Sequence, residues 1–389
     1  MDIPEFYRAV AAALDEHITA LANLAKFLYD NPETAFEEKQ ARDAITSLLK
    51  KNGFNVETGI CGLETAFKAA YGSGQPAIAF LAEYDALPGL GHACGHNLIA
   101  TASVAAAIAA RRAVDELGGS IIVFGTPGEE IYGGKAIMAE RGAFSDVDFA
   151  MIAHPGGGNL VLISTLACET LDVEFYGKAA HAAAEPESGI NALEAMILSF
   201  NAINSLRQHL REKARIHGII TRGGEAANIV PAYTAGSFIV RAENDDYLEE
   251  VKKKVIDCFA GAGKATGARL EYRWGEHYAS MRSNAVMGKL FKKHLESLGR
   301  TIELGSNAMM TFSTDVGNVS RLVPAIQPLV AIAPDEVKMH TPEFYKAAGS
   351  PEALAVMLDA GRAMALTAVD ILADAGKAEE IREEFFKSR

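Results

Sequence analysis

Ala82-Glu83-Tyr84-Asp85-Ala86-Leu87-Pro88, followed closely by Gly91-His92-Ala93-Cys94-Gly95-His96-Asn97, puts two carboxylates, a thiol and an imidazole at the end of one predicted strand and in the turn after it. That collection suits a divalent metal better than a hydrophobic core. A second acidic pair, Glu129-Glu130, ends the next apolar run, and His154 ends the one after that. Strand-like runs at 65–71, 77–81, 120–126 and 149–154 alternate with helical runs at 95–117 and 134–141. Short apolar strands separated by helices predict an α/β sheet covered on both faces. In such sheets ligands gather where strands end at their carboxyl termini. Asp85, Cys94, Glu129, Glu130 and His154 all fall just after such ends, which predicts one shared site.

Upstream of these segments, the first fifty or so residues read as two amphipathic helices around Asp30-Asn31-Pro32-Glu33-Thr34. Pro32 breaks the helical pattern, and Asp30 or Asn31 is the expected cap of the second helix. Near Cys168 the texture changes. Leu171-Asp172-Val173-Glu174-Phe175-Tyr176 alternates with period two, as a half-exposed antiparallel strand does. A helix at 191–210, strands at 216–221 and 234–241, a helix at 246–264 and a strand at 269–274 follow. This βαββαβ order predicts a small four-stranded sheet with two helices on one face. It interrupts an α/β pattern that resumes near residue 283, so 1–167 with 279–389 reads as one domain and 168–278 as an insert. Ser350-Pro351-Glu352 opens a final long helix, with Ser as cap and Pro in the first turn.

Bulk composition narrows the partners. The 389 residues are 49% apolar, enough for a large core. The net charge of −13 disfavours nucleic acid and anionic membranes, which need a basic patch. No run of about 18 consecutive apolar residues predicts a membrane span. Met1-Asp2-Ile3-Pro4-Glu5 carries no basic-then-apolar leader pattern. Four scattered cysteines, Cys61, Cys94, Cys168 and Cys258, predict a reduced, cytoplasmic protein.

The residues alone leave readings open. Cys94 can be a small buried apolar group and His96 a helix-start residue. Two adjacent glutamates after a strand are costly to bury together, and their useful division of labour is one metal ligand and one proton carrier. Gly128-Glu129-Glu130-Ile131-Tyr132-Gly133-Gly134-Lys135 imitates a phosphate loop, but the Lys comes one place late and two carboxylates repel phosphate. A Cys94 nucleophile is disfavoured by its acidic neighbours, which raise a thiol pKa.

In order, these motifs resemble the amidohydrolase branch of peptidase family M-twenty, a dinuclear-metal family that includes glutamate carboxypeptidase and aminoacylase. The resemblance runs essentially the whole length. It is carried by Asn31-Pro32-Glu33, the two quoted segments, Thr126-Pro127-Gly128-Glu129-Glu130 and His340-Thr341-Pro342. The segments 90–100 and 313–320 are similar to aminobenzoyl-glutamate hydrolase subunits and β-alanyl-lysine-type dipeptidases. The resemblance implies a mixed-sheet αβα metallopeptidase domain with an inserted α+β lid and dimerisation domain. It implies two divalent ions per subunit (manganese or zinc, with cobalt or nickel as further options), held by Cys94 as the bridging thiolate, His96, Glu130, His154 and His340. Glu129 takes the place of the catalytic base acting on metal-bound water, and Asp85 that of the carboxylate orienting a ligand histidine. His181 matches the oxyanion-holding histidine, supplied by the partner of a homodimer. Asn228 and Arg241 match the groups that hold the substrate carbonyl and carboxylate. Asp315 is a candidate for a cationic substrate group or, equally, a helix cap. Glu83 stands where the peptidase branch has a ligand histidine and the amidohydrolase branch commonly an aspartate, so weak ligation, hydrogen bonding and neither all stay open for it.

The activity implied is hydrolysis of the amide bond of a dipeptide or N-acyl amino acid with a free carboxylate. N-acetyl, hippuryl or auxin-type conjugates, and a catalytically inactive metal-binding partner subunit, are the alternatives.

Overall fold

The computed structural model describes residues 3–305 and 308–387. Two helices come first, α1 (Ile3–Asp30) and α2 (Lys39–Lys51). Neither Asp30 nor Asn31 caps α2. Instead the Glu33 carboxylate accepts the first-turn N–H groups of Gln40 (3.1 Å) and Ala41 (2.9 Å). The irregular stretch between the helices brings Glu33 back over the helix start, which a nearest-neighbour reading of capping cannot see. The Glu33 carbonyl also accepts the Ala86 N–H (2.8 Å), tying this motif to the segment that carries Asp85.

Strands β1 (Asn55–Thr58), β2 (Phe67–Ser73) and β3 (Ala77–Ala82) precede helix α3 (His96–Leu117), and β4 (Gly119–Gly125) follows it. Short helices α4 (Glu129–Tyr132) and α5 (Gly134–Glu140) lead to β5 (Phe149–Met151) and β6 (His154–Gly156). The single strand expected at 149–154 is therefore two. β5 pairs with Ala325–Ile326 in the main sheet and β6 pairs with Leu329–Ala331, and between them the Ile152 N–H still donates to the Ile326 carbonyl (3.1 Å). The second unit then contributes β7 (Ala167–Tyr176), α6 (Ala192–Arg207), β8 (Arg215–Arg222), β9 (Tyr233–Ala242), α7 (Asp245–Thr266) and β10 (Arg269–Tyr278). The chain closes with α8 (Ala285–Ser297), α9 (Val316–Leu322), β11 (Ala325–Ile326), β12 (Leu329–Ala331), α10 (Pro342–Ala348), α11 (Pro351–Ala373) and α12 (Ala375–Lys387).

Two compact units result. Unit 1 comprises Met1–Ser164, Met281–Ala308 and Thr314–Arg389; unit 2 comprises Thr165–Ser280 with Met309–Ser313. The unit 1 sheet has the order β1-β2-β4-β3-β5-β11. Its four strands β4, β3, β5 and β11 are parallel, and β1 and β2 extend it antiparallel. All six residues of β3 are buried, as a central parallel strand requires. Phe80 is fully buried there, so its truncation to Ala costs about 3–5 kcal/mol. Helix α3 packs between α1 and α11. It is long and apolar enough to cross a membrane, but 89% of that window is buried inside unit 1, as a core helix demands. Ser350 Oγ accepts the Ala353 N–H (3.1 Å), so α11 starts with the expected cap.

Unit 2 is a four-stranded antiparallel sheet, β10-β7-β9-β8, with α6 and α7 packed on one face. Leu171, Val173 and Phe175 of β7 turn to the core, and Val251, Val255 and Phe259 of α7 meet them there. The alternation of β7 thus sets which face the helices cover.

Candidate metal centre

Strands β3, β4 and β5 are neighbours and run parallel, so their carboxyl ends open on one side of unit 1. Glu83 and Asp85 follow β3, Glu129 and Glu130 follow β4, and His154 opens β6 just beyond β5. Cys94 and His96 flank Gly95, whose φ is +82°. A Cβ there would stand 2.5 Å from Pro155 Cγ, next to His154. Only glycine lets this turn close against the His154 segment. His340 arrives from far along the chain. Its N–H donates to the Ala93 carbonyl (2.9 Å), and its backbone holds φ +65°, uncommon for a residue with a side chain.

The side chains converge. Cys94, His96 and His154 offer ligand atoms within 4.8 Å of one another, and so do Cys94, Glu130 and His340. Cys94 is common to both trios. Cys94 Sγ lies 3.7 Å from His154 Nε2, and His340 Nε2 lies 3.4 Å from Glu130 Oε1. The structure therefore gathers all five residues expected as ligands. Two donors each about 2.1 Å from one ion, at a tetrahedral angle, would be about 3.4 Å apart.

Hydrogen bonding fixes the histidine tautomers. His96 Nδ1 donates to Asp85, to its Oδ1 (3.0 Å) and its carbonyl (2.9 Å). His154 Nδ1 donates to the Pro155 carbonyl (2.7 Å). Each ring is pinned at Nδ1, which presents Nε2 as the free lone pair, the arrangement that outer groups impose on metal-binding histidines. Asp85 Oδ2 accepts the Glu130 N–H (3.0 Å), so one carboxylate orients both a ring and the Glu130 backbone. His96 Nε2 is buried and without a hydrogen-bond partner, and Glu130 Oε1 is buried with His340 Nε2 at 3.4 Å as its facing group. Buried polar atoms without partners are expensive, and a thiol, imidazoles and a carboxylate suit a divalent cation such as zinc or manganese. The residues present fit such an ion.

The charge balance splits the glutamates. Burial first, then Glu130, Glu83 and Asp315, push the Glu129 carboxyl well above the ordinary range, against Lys135. Burial also works to raise Glu130, but the His340 hydrogen bond and the His96 charge outweigh it and hold Glu130 low. Paired carboxyls pushed apart in this way mark one ionised ligand and one proton carrier. Burial, then Glu130, raises the Cys94 thiol; a cation held at its sulfur would favour the thiolate. Burial opposes charge on His96 too, but Asp85 and Cys94 prevail and raise it. The ring sits where positive charge is welcome.

Not every expected residue joins this centre. Asp315 belongs to unit 1 but serves neither as a helix cap nor as a free anion for a substrate. It is fully buried; Oδ1 is 2.7 Å from Lys135 Nζ and Oδ2 accepts the Lys135 N–H (2.8 Å). The carboxylate is consumed by the lysine, which the sequence showed only as a misplaced phosphate-loop residue. His181, Asn228 and Arg241 lie in unit 2. His181 pairs across a β-bridge with Ile229, and the Asn228 carbonyl accepts the Ala182 N–H (3.0 Å), so those two loops run together. Arg241, near the end of β9, donates from Nη1 to Ser313 Oγ (2.9 Å). Glu38 is a contributor that no sequence pattern singles out. Its carboxylate is fully buried, accepts the Gly128 N–H (2.9 Å) and the Thr65 hydroxyl (2.9 Å), and is pushed up to about 7 by burial and by Asp85. It braces the turn that presents Glu129 and Glu130.

Comparison with known proteins agrees with this chemistry. Residues 169–266 match the family model described as the peptidase dimerisation domain. The mouse Xaa-Arg dipeptidase is 36% identical over 97% of this chain and 91% of its own. A p-aminobenzoyl-glutamate hydrolase chain of Escherichia coli is 30% identical over 98% of this chain and 95% of its own. A dinuclear metal-binding peptidase from Bacillus subtilis, 20% identical, shares the fold with a TM-score of 0.69 over 91% of this chain and 98% of that one. With relatives of that identity along nearly its whole length and with these side chains at its strand ends, the chain belongs to the M20 (M-twenty) peptidase family and is a metal-dependent amidohydrolase.

Proposed function

We propose that this protein hydrolyses the amide bond of a dipeptide or N-acyl amino acid bearing a free α-carboxylate. Its centre takes two divalent ions, zinc or manganese, on Cys94, His96, Glu130, His154 and His340. The observation that carries this reading is the pair of histidines pinned at Nδ1 with Nε2 turned inward around a shared thiol. Cys94 belongs to two of the candidate ligand trios, so its sulfur would be available to the ions held there. Ions bound there supply Lewis acidity and make water at the centre more acidic. Glu129, with its raised affinity for a proton, receives the proton of the attacking water on its carboxylate and delivers it to the leaving amine. Asp85 keeps the His96 ring in its tautomer throughout. From unit 2, Arg241 is the anchor for the substrate carboxylate, since its guanidinium has donors left after Ser313. Asn228 binds the scissile carbonyl, and His181, acting from the partner subunit, holds the oxyanion.

The substrate class is drawn from what two relatives share. One is named for dipeptides ending in arginine and the other for a glutamate conjugate, and a free α-carboxylate is common to both. The net charge of −13 raises the local concentration of cations, so we rank dipeptides ending in a basic residue first. A homodimer fits unit 2, where edge strand β8 exposes Ile219 and Ile220 and α6 exposes Ile197 and Leu198. A cytoplasmic site fits four cysteines that form no disulfide among the described residues. The test is a turnover assay of protein loaded with zinc or manganese against dipeptides ending in Arg, Lys or Glu and against p-aminobenzoyl-glutamate. Hydrolysis of at least one dipeptide, lost on chelation and restored by metal, is expected. Two bound ions and no hydrolysis of any member would contradict the proposal.

A further inference from the structure

Glu83 directly follows β3, with its carboxylate fully buried. A buried carboxylate is tolerated when both oxygens are engaged. Oε1 meets Lys135 Nζ at 2.8 Å. Oε2 accepts no hydrogen bond and faces His96 Nε2 at 3.6 Å. That ring nitrogen, pinned from behind by Asp85, makes no hydrogen bond of its own and stands 3.8 Å from Glu130 Oε1. Two buried atoms without hydrogen-bond partners, Glu83 Oε2 and His96 Nε2, thus face one another, and Glu130 Oε1, with His340 Nε2 at 3.4 Å, stands on the same imidazole edge. Glu83 Oε2 and Glu130 Oε1 lie 3.6 and 3.8 Å from His96 Nε2, a few tenths of an ångström beyond the roughly 3.4 Å between donors that share an ion at a tetrahedral angle.

The bland reading makes Glu83 only the counter-ion of Lys135. Lys135 has a second carboxylate beside it, at 2.7 Å. Asp315 already holds the lysine at both ends, ammonium and backbone amide, and all three side chains are fully buried. One lysine with one such carboxylate is a closed pair. A second carboxylate, with an oxygen left over and aimed at a ligand histidine, is surplus to that pair.

We propose that Glu83 is a further metal-ligating side chain of this centre, through Oε2 beside His96 and Glu130, and that Lys135 with Asp315 is the positioning pair that holds it. The inference rests on the metal-centre reading above. Lys135 fixes the Glu83 side chain by its other oxygen and offsets part of the negative charge that an extra carboxylate brings. Asp315 keeps the lysine from turning away.

The test uses the full-length protein, stripped by chelation and titrated with Co2+ as the probe, read by calorimetry and by the visible absorption of the bound ion. Wild type takes two ions. Glu83→Gln, which keeps the shape and the contact with Lys135, loses roughly tenfold to hundredfold in affinity for one ion and changes the cobalt spectrum. Lys135→Gln shifts the same spectrum, which a purely structural lysine would leave alone. The double variant Glu83→Gln/Lys135→Gln removes an opposite pair of charges and so guards against loss of fold. It shows the same cobalt defect with a wild-type circular dichroism spectrum. Wild-type affinity and spectrum in Glu83→Gln, or in the double variant, would overturn the assignment while leaving the centre itself intact. A wild-type protein that binds no cobalt would instead overturn the metal-centre reading, and this inference with it.

Discussion

Unit 1 and unit 2 each gather histidine and glutamate side chains at ligand distance, and the two gatherings differ in what neutralises them. In unit 2, Glu169, Glu249 and His277 could hold a cation by spacing alone. Lys252 already fills that role: its ammonium is 2.6 Å from Glu169 and 2.7 Å from Glu249. His277 bridges Asp245 (2.9 Å) and Glu169 (3.4 Å). The cluster is closed by the protein's own charges. Around Cys94, His96 and His154 are pinned outward at Nδ1, and the buried His96 Nε2 is left without a hydrogen bond. The one buried lysine nearby among the described residues is committed to Glu83 and Asp315. Residue type and spacing do not identify a metal site. The uncompensated buried donors do.

Glu129 offers the severest trial of this contrast. Glu129→Ala should keep its metal, since the ligand trios around Cys94 remain, and lose turnover by about 10²–10⁴-fold. Loss of metal in that variant, or near-normal turnover, would contradict the assigned division between the two glutamates. Asp85→Asn comes next. It unpins His96 and should weaken metal binding by roughly 10–100-fold, measured by competition with a chelating dye; unchanged affinity would mean that the Nδ1 anchor is dispensable.

Unit 2 should respond to protons rather than metal. Hydrogen bonds donated to Asp245 and Glu169 raise His277 to about 9. A histidine raised in the folded state contributes stability that is full below its unfolded pKa near 6.5 and is lost as pH climbs through about 9. The shift would be worth about 3 kcal/mol if the ring were fully buried. Because it is partly exposed, we expect on the order of 1 kcal/mol. Thermal melts of wild type and His277→Asn should differ at pH 6 and converge by pH 10; a constant gap would refute the protonated bridge. Glu249→Gln should change least of all, leaving the bound-metal count by plasma mass spectrometry as it is in wild type. A lost ion there would erase the distinction between the two clusters.

Much of this was readable in the chain because it rests on local periodicity. The burial of β3 and β4, the alternation of β7 and the start of α11 are written in adjacent residues. So is the position of Glu129 and Glu130 after a strand. What was hidden depends on contacts distant in sequence. Asp315 meets Lys135 from another part of the chain, and no pattern around either residue announces it. Glu38 looks like one more polar position at the start of an amphipathic helix until Thr65 and Gly128 are seen to close on it. The run at 149–154 reads as one strand because its residues are apolar as far as His154; the division between two sheets comes from the pairing of β6 with β12. His340 was placed by resemblance, and its left-handed backbone and its bond to Ala93 show how so distant a residue is brought to the centre.

Anomalous diffraction at the zinc edge, from a crystal of the zinc-loaded protein, decides between the two clusters in one measurement. Two peaks within ligand distance of Cys94, His96, Glu130, His154 and His340, and none at Glu169 and His277, are expected. No peak at Cys94, or a peak between Glu169 and His277, would contradict the assignment of the metal centre to unit 1.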